Sequence, residues 1–233
     1  MCIDNDPILP HGLIQVAGVH DREEVQLLLD YGVDIIGIPL RLPVNAEDLS
    51  EAEARTICKD FPGKCCIITY LDSAADIIDF SNYMGCPLIQ LHGMVELETL
   101  KQVKAALPDL RIIKSLVIGR FPMESLLQQV DAFSPYVSAY ITDTYNPHTG
   151  AEGATGLTHD WQLSRQLLKA SSRPLILAGG LNSDNVEAAI DQVHPWGVDV
   201  HTGVEDATGR KTKQSLSPFV SKTRRAFSKL ELK

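Results

Sequence analysis

Short aliphatic runs alternate along the chain with longer segments whose apolar positions recur at helical spacing, a pattern that predicts repeated strand and helix. Eight runs have strand character: LIQVAG (13–18), DIIGIPL (34–40), CCIITYL (65–71), LIQLHG (88–93), RIIKSLVIG (111–119), SAYITDT (138–144), PLILAGG (174–180) and GVDVHTG (197–203). Their starts recur about every 26 residues, enough for one strand and one crossover helix. The helices carry their own punctuation. Asp21 with Glu24 and Ser50 with Glu53 have the spacing of capping boxes, and Gly32 stops the first helix. Asn182 is expected to open the helix SDNVEAAIDQV, and Thr212 or Ser215 to open a terminal helix running toward Phe227.

Eight such units in 233 residues favour an α/β fold of the (β/α)8 TIM-barrel type, parallel and eight-stranded, because closure leaves no strand edge exposed. Periodicity alone leaves an open doubly wound sheet as the rival. No composition break divides the chain, so residues 13–233 are expected to form a single barrel domain behind an N-terminal extension, residues 1–12. Hydrophobic residues make up 44%, charged residues 22% and aromatics 6%, which excludes a disordered or collagen-like chain and makes the core aliphatic.

The net charge of −9 argues against a nucleic-acid partner and requires any anionic ligand to be held by a local trap. The five cysteines show no CxxC or ligand-like spacing with histidine, so neither a disulfide framework nor a metal site is expected. No run approaches the ~20 apolar residues of a membrane span, and the start MCIDNDPILPHG lacks the regions of a signal peptide. The expectation is a cytoplasmic protein that binds neither membrane nor nucleic acid.

Barrels of this class place their active sites at the C-terminal ends of the strands. The seventh run ends in AGGLNSDNV, where Gly179 and Gly180 let the backbone approach a ligand ahead of Asn182 and the following helix. The eighth ends in DVHTGVED, with Asp199, Thr202 and Gly203. A lone Gly-Gly is more often a tight turn, but two such ends at the seventh and eighth positions together predict a phosphate cradle built from backbone amides.

These segments also carry a family resemblance. AGGLNSDNVEAAIDQVHPWGVDVHTGVED, followed by GRKTKQSLSPFVSKTRRAF, resembles the C-terminal third of phosphoribosylanthranilate isomerases, the (β/α)8 enzymes of tryptophan biosynthesis. IQVAGVHDREEVQLLLDYGVDIIGI, IQLHG, RIIKSL, ITDT and GATGLTHDW resemble further motifs of that family in the expected order, covering most of residues 13–227.

The resemblance implies an aldose–ketose isomerisation of the Amadori type. A ring-closed aldosylamine 5-phosphate opens and becomes a 1-amino-1-deoxyketose, with no cofactor. It maps the general acid to Asp143; without it, Asp143 would be assigned to capping a turn or pairing with Lys114. The family's base is a cysteine in a K-x-C-G segment at the end of strand one, where this chain has Gln15, Val16, Ala17 and Gly18. Ala17 cannot accept a proton, and Gln15 lacks the lysine's charge. His92 ranks first as a substitute base, ahead of His201, His20 and Asp21; for His201 a donor role to the phosphate, and for Asp21 a helix cap, are the plainer readings.

A basic S-P-R-like segment that holds the anthranilate carboxylate in the family is replaced by RLPVNAEDLS, with Arg41 its only cation. The stretch from Tyr145 to His159 is long for a βα connection and is a lid candidate. Two alternatives stand beside the isomerase: a lyase or aldolase using Lys114 as a Schiff-base amine, or a catalytically silent phosphosugar-binding barrel. In each case the partner is a small phosphorylated sugar-type ligand, and the assembly a monomer or homodimer.

Overall fold

The computed structural model describes residues 8–43, 46–145 and 158–231. Eight strands close into one parallel barrel in sequence order, with the last pairing the first. They are β1 (Leu13–Ala17), β2 (Ile35–Leu40), β3 (Cys65–Thr69), β4 (Leu88–Leu91), β5 (Arg111–Ile118), β6 (Ala139–Thr144), β7 (Leu175–Leu177) and β8 (Gly197–Val200). The helices between and after them are α1 (Arg22–Asp30), α2 (Glu51–Asp60), α3 (Ala74–Met84), α4 (Leu97–Ala106), α5 (Met123–Phe133), α6 (Trp161–Ala170), α7 (Val186–Val193) and α8 (Lys213–Glu231). Among the described residues no helix is long and apolar enough to cross a membrane.

Alternation along each strand divides the side chains between two cores. Ile14, Val16, Ile36, Ile38, Ile112 and Leu116 face outward and meet Val25, Leu28, Phe80, Leu126, Ile190 and Phe219 of the helices. Leu13, Ile35, Cys66, Leu88, Ile113, Ala139, Ile141 and Ile176 fill the lower barrel interior. Each buried Leu or Ile contributes about 1.5–3 kcal/mol of transfer free energy, so the aliphatic strands supply the core that the sparse aromatics cannot.

Leu9 joins the inner cluster, and its carbonyl accepts a bond from the Trp196 indole N–H at 2.9 Å, so the segment just before β1 covers the barrel floor. Arg224 on α8 ties the same end together by donating to the Gly12 carbonyl at 2.7 Å and to Asp34 at 2.8 Å.

The Ser50 capping box forms as expected, with the Glu53 carboxylate accepting from the Ser50 N–H at 2.9 Å. Asp21 also caps its helix, accepting from the Glu24 N–H at 2.9 Å, but Glu24 does not complete a box. Its carboxylate is drawn instead to the N–H groups of His20 and Lys211, joining α1 to the chain after β8. The helix after β7 starts later than expected: α7 begins at Val186, because Asn182 accepts from the Asp184 N–H at 2.8 Å and closes a turn of its own. The strand β7 is also short, since Gly179 and Gly180 take φ of 105° and 61° and leave the ladder.

Candidate active site

At the C-terminal end of the barrel lies a cavity of about 330 Å³. Its wall includes Ala17 after β1, Ile68 and Tyr70 of the β3 end, Gln90 and His92 of β4, Asp143 of β6, Gly179 and Gly180 after β7, and Asp199, His201, Thr202 and Gly203 of the β8 end. The inward alternation of the strands puts these side chains there: Gln90 and His92, or Asp199 and His201, are successive inward positions of one strand.

A polar chain crosses the interior. Gln15 donates to Gln90 at 3.1 Å, Gln90 donates to Ser115 at 3.3 Å, and the Ser115 hydroxyl lies 2.9 Å from His92 Nδ1. That same nitrogen is 3.9 Å from Asp143 Oδ2, while Asp143 Oδ1 accepts from the Thr144 N–H at 2.7 Å. The Tyr70 ring lies against the His92 ring, with centroids 4.6 Å apart.

Burial is the largest influence on how these groups titrate. It pushes Asp143 up to about 7, with the charge of Asp199 adding to the effect and the Thr144 bond opposing it. It also pushes Asp199 up to about 7, against the Gln15 amide and the Lys211 charge, which pull it down. His92 is driven down to about 3 by burial and by the neighbouring Lys114 charge, so its ring is neutral in the physiological range.

The ends of β7 and β8 approach one another closely. A Cβ added at Gly203 would fall about 1 Å inside the 3.0 Å limit of real contacts to the Leu181 carbonyl oxygen. Gly179 is similarly confined against Thr144 Oγ1, with His159 Nδ1 at 3.1 Å from where a Cβ would sit. Only bare backbone fits at these positions, and it fronts the same cavity as the two carboxyls.

Residues 14–222 match the family model of N-(5'-phosphoribosyl)anthranilate (PRA) isomerase. The chain belongs to this family. It is 32% identical to N-(5'-phosphoribosyl)anthranilate isomerase 2 of Methanosarcina mazei, over 93% of this chain and 96% of the relative. It is also 33% identical to the isomerase of Legionella pneumophila strain Corby, over 89% and 94% respectively. The crystal structure of phosphoribosyl anthranilate isomerase from Thermotoga maritima superposes with a TM-score of 0.75 at 26% identity, covering 91% of this chain and 98% of that one.

Within this family barrel, the expected site residues divide. Asp143, His92, Ala17, Gly179, Gly180, Asp199, Thr202 and Gly203 all line the cavity. Arg41 does not: its guanidinium stacks over the Phe80 ring at 4.0 Å and pairs with Glu51 at 2.8 Å, turned toward α2 and α3. Asn182 is likewise absent from the described lining, its side-chain oxygen taken by the Asp184 N–H.

Lys114 is turned away as well. Its strand neighbours Ile113 and Ser115 face the barrel interior, so Lys114 points to the helix side. There its ammonium donates to the carbonyls of Leu91, Gly93 and Ser115 at 3.3, 3.0 and 2.8 Å. The plain alternative of a Lys114–Asp143 pair and the Schiff-base alternative both required the opposite orientation. The lid candidate falls largely on residues 146–157, outside the described residues. At its end, His159 bridges the Thr144 hydroxyl at 2.9 Å and the Ser164 hydroxyl at 2.6 Å, fastening β6 to α6.

Proposed function

We propose that this protein isomerises phosphoribosylanthranilate, with Asp143 as the general acid. The observation that carries the reading is a buried carboxyl, raised to about 7, in one cavity with two glycine-lined strand ends. Asp143 protonates the furanose ring oxygen, the C1–O bond breaks, and the amine nitrogen donates its lone pair to form the C1=N iminium. Such an acid works best with a pKa near the operating pH, which burial provides here. The phosphate sits against the backbone of Gly179, Gly180 and Gly203, with the Thr202 hydroxyl beside it, where backbone amides offset its charge without a cationic side chain.

We assign His92 to positioning rather than proton removal. Its ring packs between Tyr70 and Asp143, and an imidazole with a pKa near 3 takes up no proton at neutral pH. The test is to add freshly formed phosphoribosylanthranilate to the purified protein and follow the loss of its fluorescence. Turnover is the expected result. No turnover, with retained binding of a product-like phosphate ligand, would overturn the reading in favour of a silent phosphosugar-binding barrel.

A further inference from the structure

An isomerisation that opens a ring by acid must also remove the C2 proton, and Ala17, at the mouth of β1, has no group to do it. Resting on the isomerase reading above, we propose that Asp199 is the general base, acting from the neighbouring strand in place of a side chain on β1.

Register places it there. Strand β8 pairs with β1 so that Asp199 lies beside Gln15, the inward position immediately below Ala17. Asp199 lines the cavity together with Ala17 and Asp143. Its Oδ1 atom is shielded from solvent and lacks a hydrogen-bond partner in the structure. A buried carboxylate oxygen left unpaired is costly, and sites of function are where such costs are retained. On its other side Ala17 neighbours Gly37 of β2, which carries no side chain to act as a base.

The other candidates are placed less well. His201 is held at the rim by Glu205, 3.3 Å from its Nε2, and His20 lies between Glu24 at 3.2 Å and Asp48 at 3.5 Å. Both rings have substantial exposure, 27% and 31% of the side chain, whereas the reacting carbon must lie deeper, within reach of Asp143.

The charged and titratable groups acting on Asp199 sort the two acids into roles. Lys211 favours its ionised form, while an ionised Asp199 in turn disfavours ionisation of Asp143 and of Cys66. Asp199 is the carboxyl whose ionised form a cation favours, so in the proposed mechanism it loses the first proton while Asp143 keeps the second, the arrangement a base and an acid require. In the step itself the C2–H bond breaks, its proton passes to Asp199 and its electrons form C1=C2. The C1=N π pair returns to nitrogen. On ketonisation Asp199 gives a proton to C1 and the C2 hydroxyl proton returns to Asp143, so both groups are restored and no co-reactant is consumed.

The experiment compares the full-length protein with Asp199→Asn, using phosphoribosylanthranilate and the same substrate deuterated at C2. Wild type is expected to show an ascending limb in kcat/KM that reports Asp199. Asp199→Asn is expected to lose about 10²–10⁴-fold in kcat, to lose that limb, to show a larger isotope effect than wild type, and to bind a reduced product analogue with little change. Wild type lacking the ascending limb overturns the proposal even should the variant fail to fold. So does a variant with kcat within about 3-fold of wild type, or one whose loss comes without the larger isotope effect. Absence of turnover by wild type instead overturns the isomerase reading, and this assignment with it.

Discussion

Replacing Gly203 by alanine tests the phosphate cradle at its narrowest point. The added methyl meets backbone rather than a mobile side chain: besides the Leu181 carbonyl oxygen, it would lie 3.0 Å from that carbonyl carbon and 3.1 Å from Asn182 Cα. Relief requires the β8 end and the β7 end to separate by roughly 1 Å, and misplacement on that scale costs on the order of 10²-fold in rate where both ends must hold one group. Overpacking of this kind costs about 1–3 kcal/mol in stability. Gly32→Ala is the control, because it has φ of +85° but nothing within 4 Å of the added methyl. It carries only the left-handed backbone penalty of about 1–2 kcal/mol and lies at the opposite end of the barrel. Denaturant unfolding should therefore show comparable losses for the two variants, while titration with a product-like phosphate ligand should show weakened binding for Gly203→Ala alone. Wild-type affinity in Gly203→Ala would refute the cradle, and equal weakening in both would mean that global stability was being read.

Other consequences follow from the same geometry. Asp143→Asn should lower kcat by about 10²–10⁴-fold. Because burial raises this carboxyl to about 7, the unfolded chain ionises it first, and wild-type stability falls as pH rises from near 4 toward 7. The variant should therefore gain more stability relative to wild type at pH 8 than at pH 5 in urea unfolding; an equal difference at both values would contradict the buried-acid assignment. Arg41→Ala should cost about 1 kcal/mol through its lost ring stacking and ion pair, with KM within about 2-fold of wild type; a large rise in KM would return Arg41 to the site. Borohydride added during turnover should leave Lys114 unmodified by mass spectrometry, and an adduct there would revive the Schiff-base mechanism.

The barrel was legible because strand and helix periods differ and recur eight times, and because closure follows from the count. Helix starts were less legible where side chains had competing partners. Glu24 has the spacing of a capping box but serves His20 and Lys211, a contact across 187 residues that no local pattern contains. Asn182 has the right composition for an N-cap but closes a turn three residues early. Most of the cavity could be found from strand ends, yet Tyr70 and Gln90 in its wall, and Ser115 behind them, were missed. The period-two alternation would have reached them, because 66, 68 and 70, or 113, 115 and 117, share an inward face. Arg41 and Lys114 show the limit of charge as a signal. A cation near the mouth draws notice, but its direction depends on Phe80 and Glu51 for one and on strand parity for the other.

The net charge of −9 gains its meaning from where the carboxylates stand. At the rim, Glu205 is neutralised by Lys211 at 2.6 Å, and Asp48 faces His20 at 3.5 Å. Inside, burial raises Asp143 and Asp199 alike to about 7 and the charge of Asp199 opposes ionisation of Asp143, so the two carboxyls together present about one negative charge rather than two near neutrality. That single charge is what a base needs to draw a proton from an iminium. A second would oppose the incoming phosphate and also remove the acid. The coupling thus ties catalysis to anion binding: conditions that ionise both carboxyls should weaken the phosphate ligand and stop turnover together, and inorganic phosphate affinity should fall over the same pH range as kcat. If affinity stayed constant while kcat fell, the phosphate would be too far from the pair to sense it, and the proposed placement of the phosphate at Gly179, Gly180 and Gly203 beside these two carboxyls would be wrong.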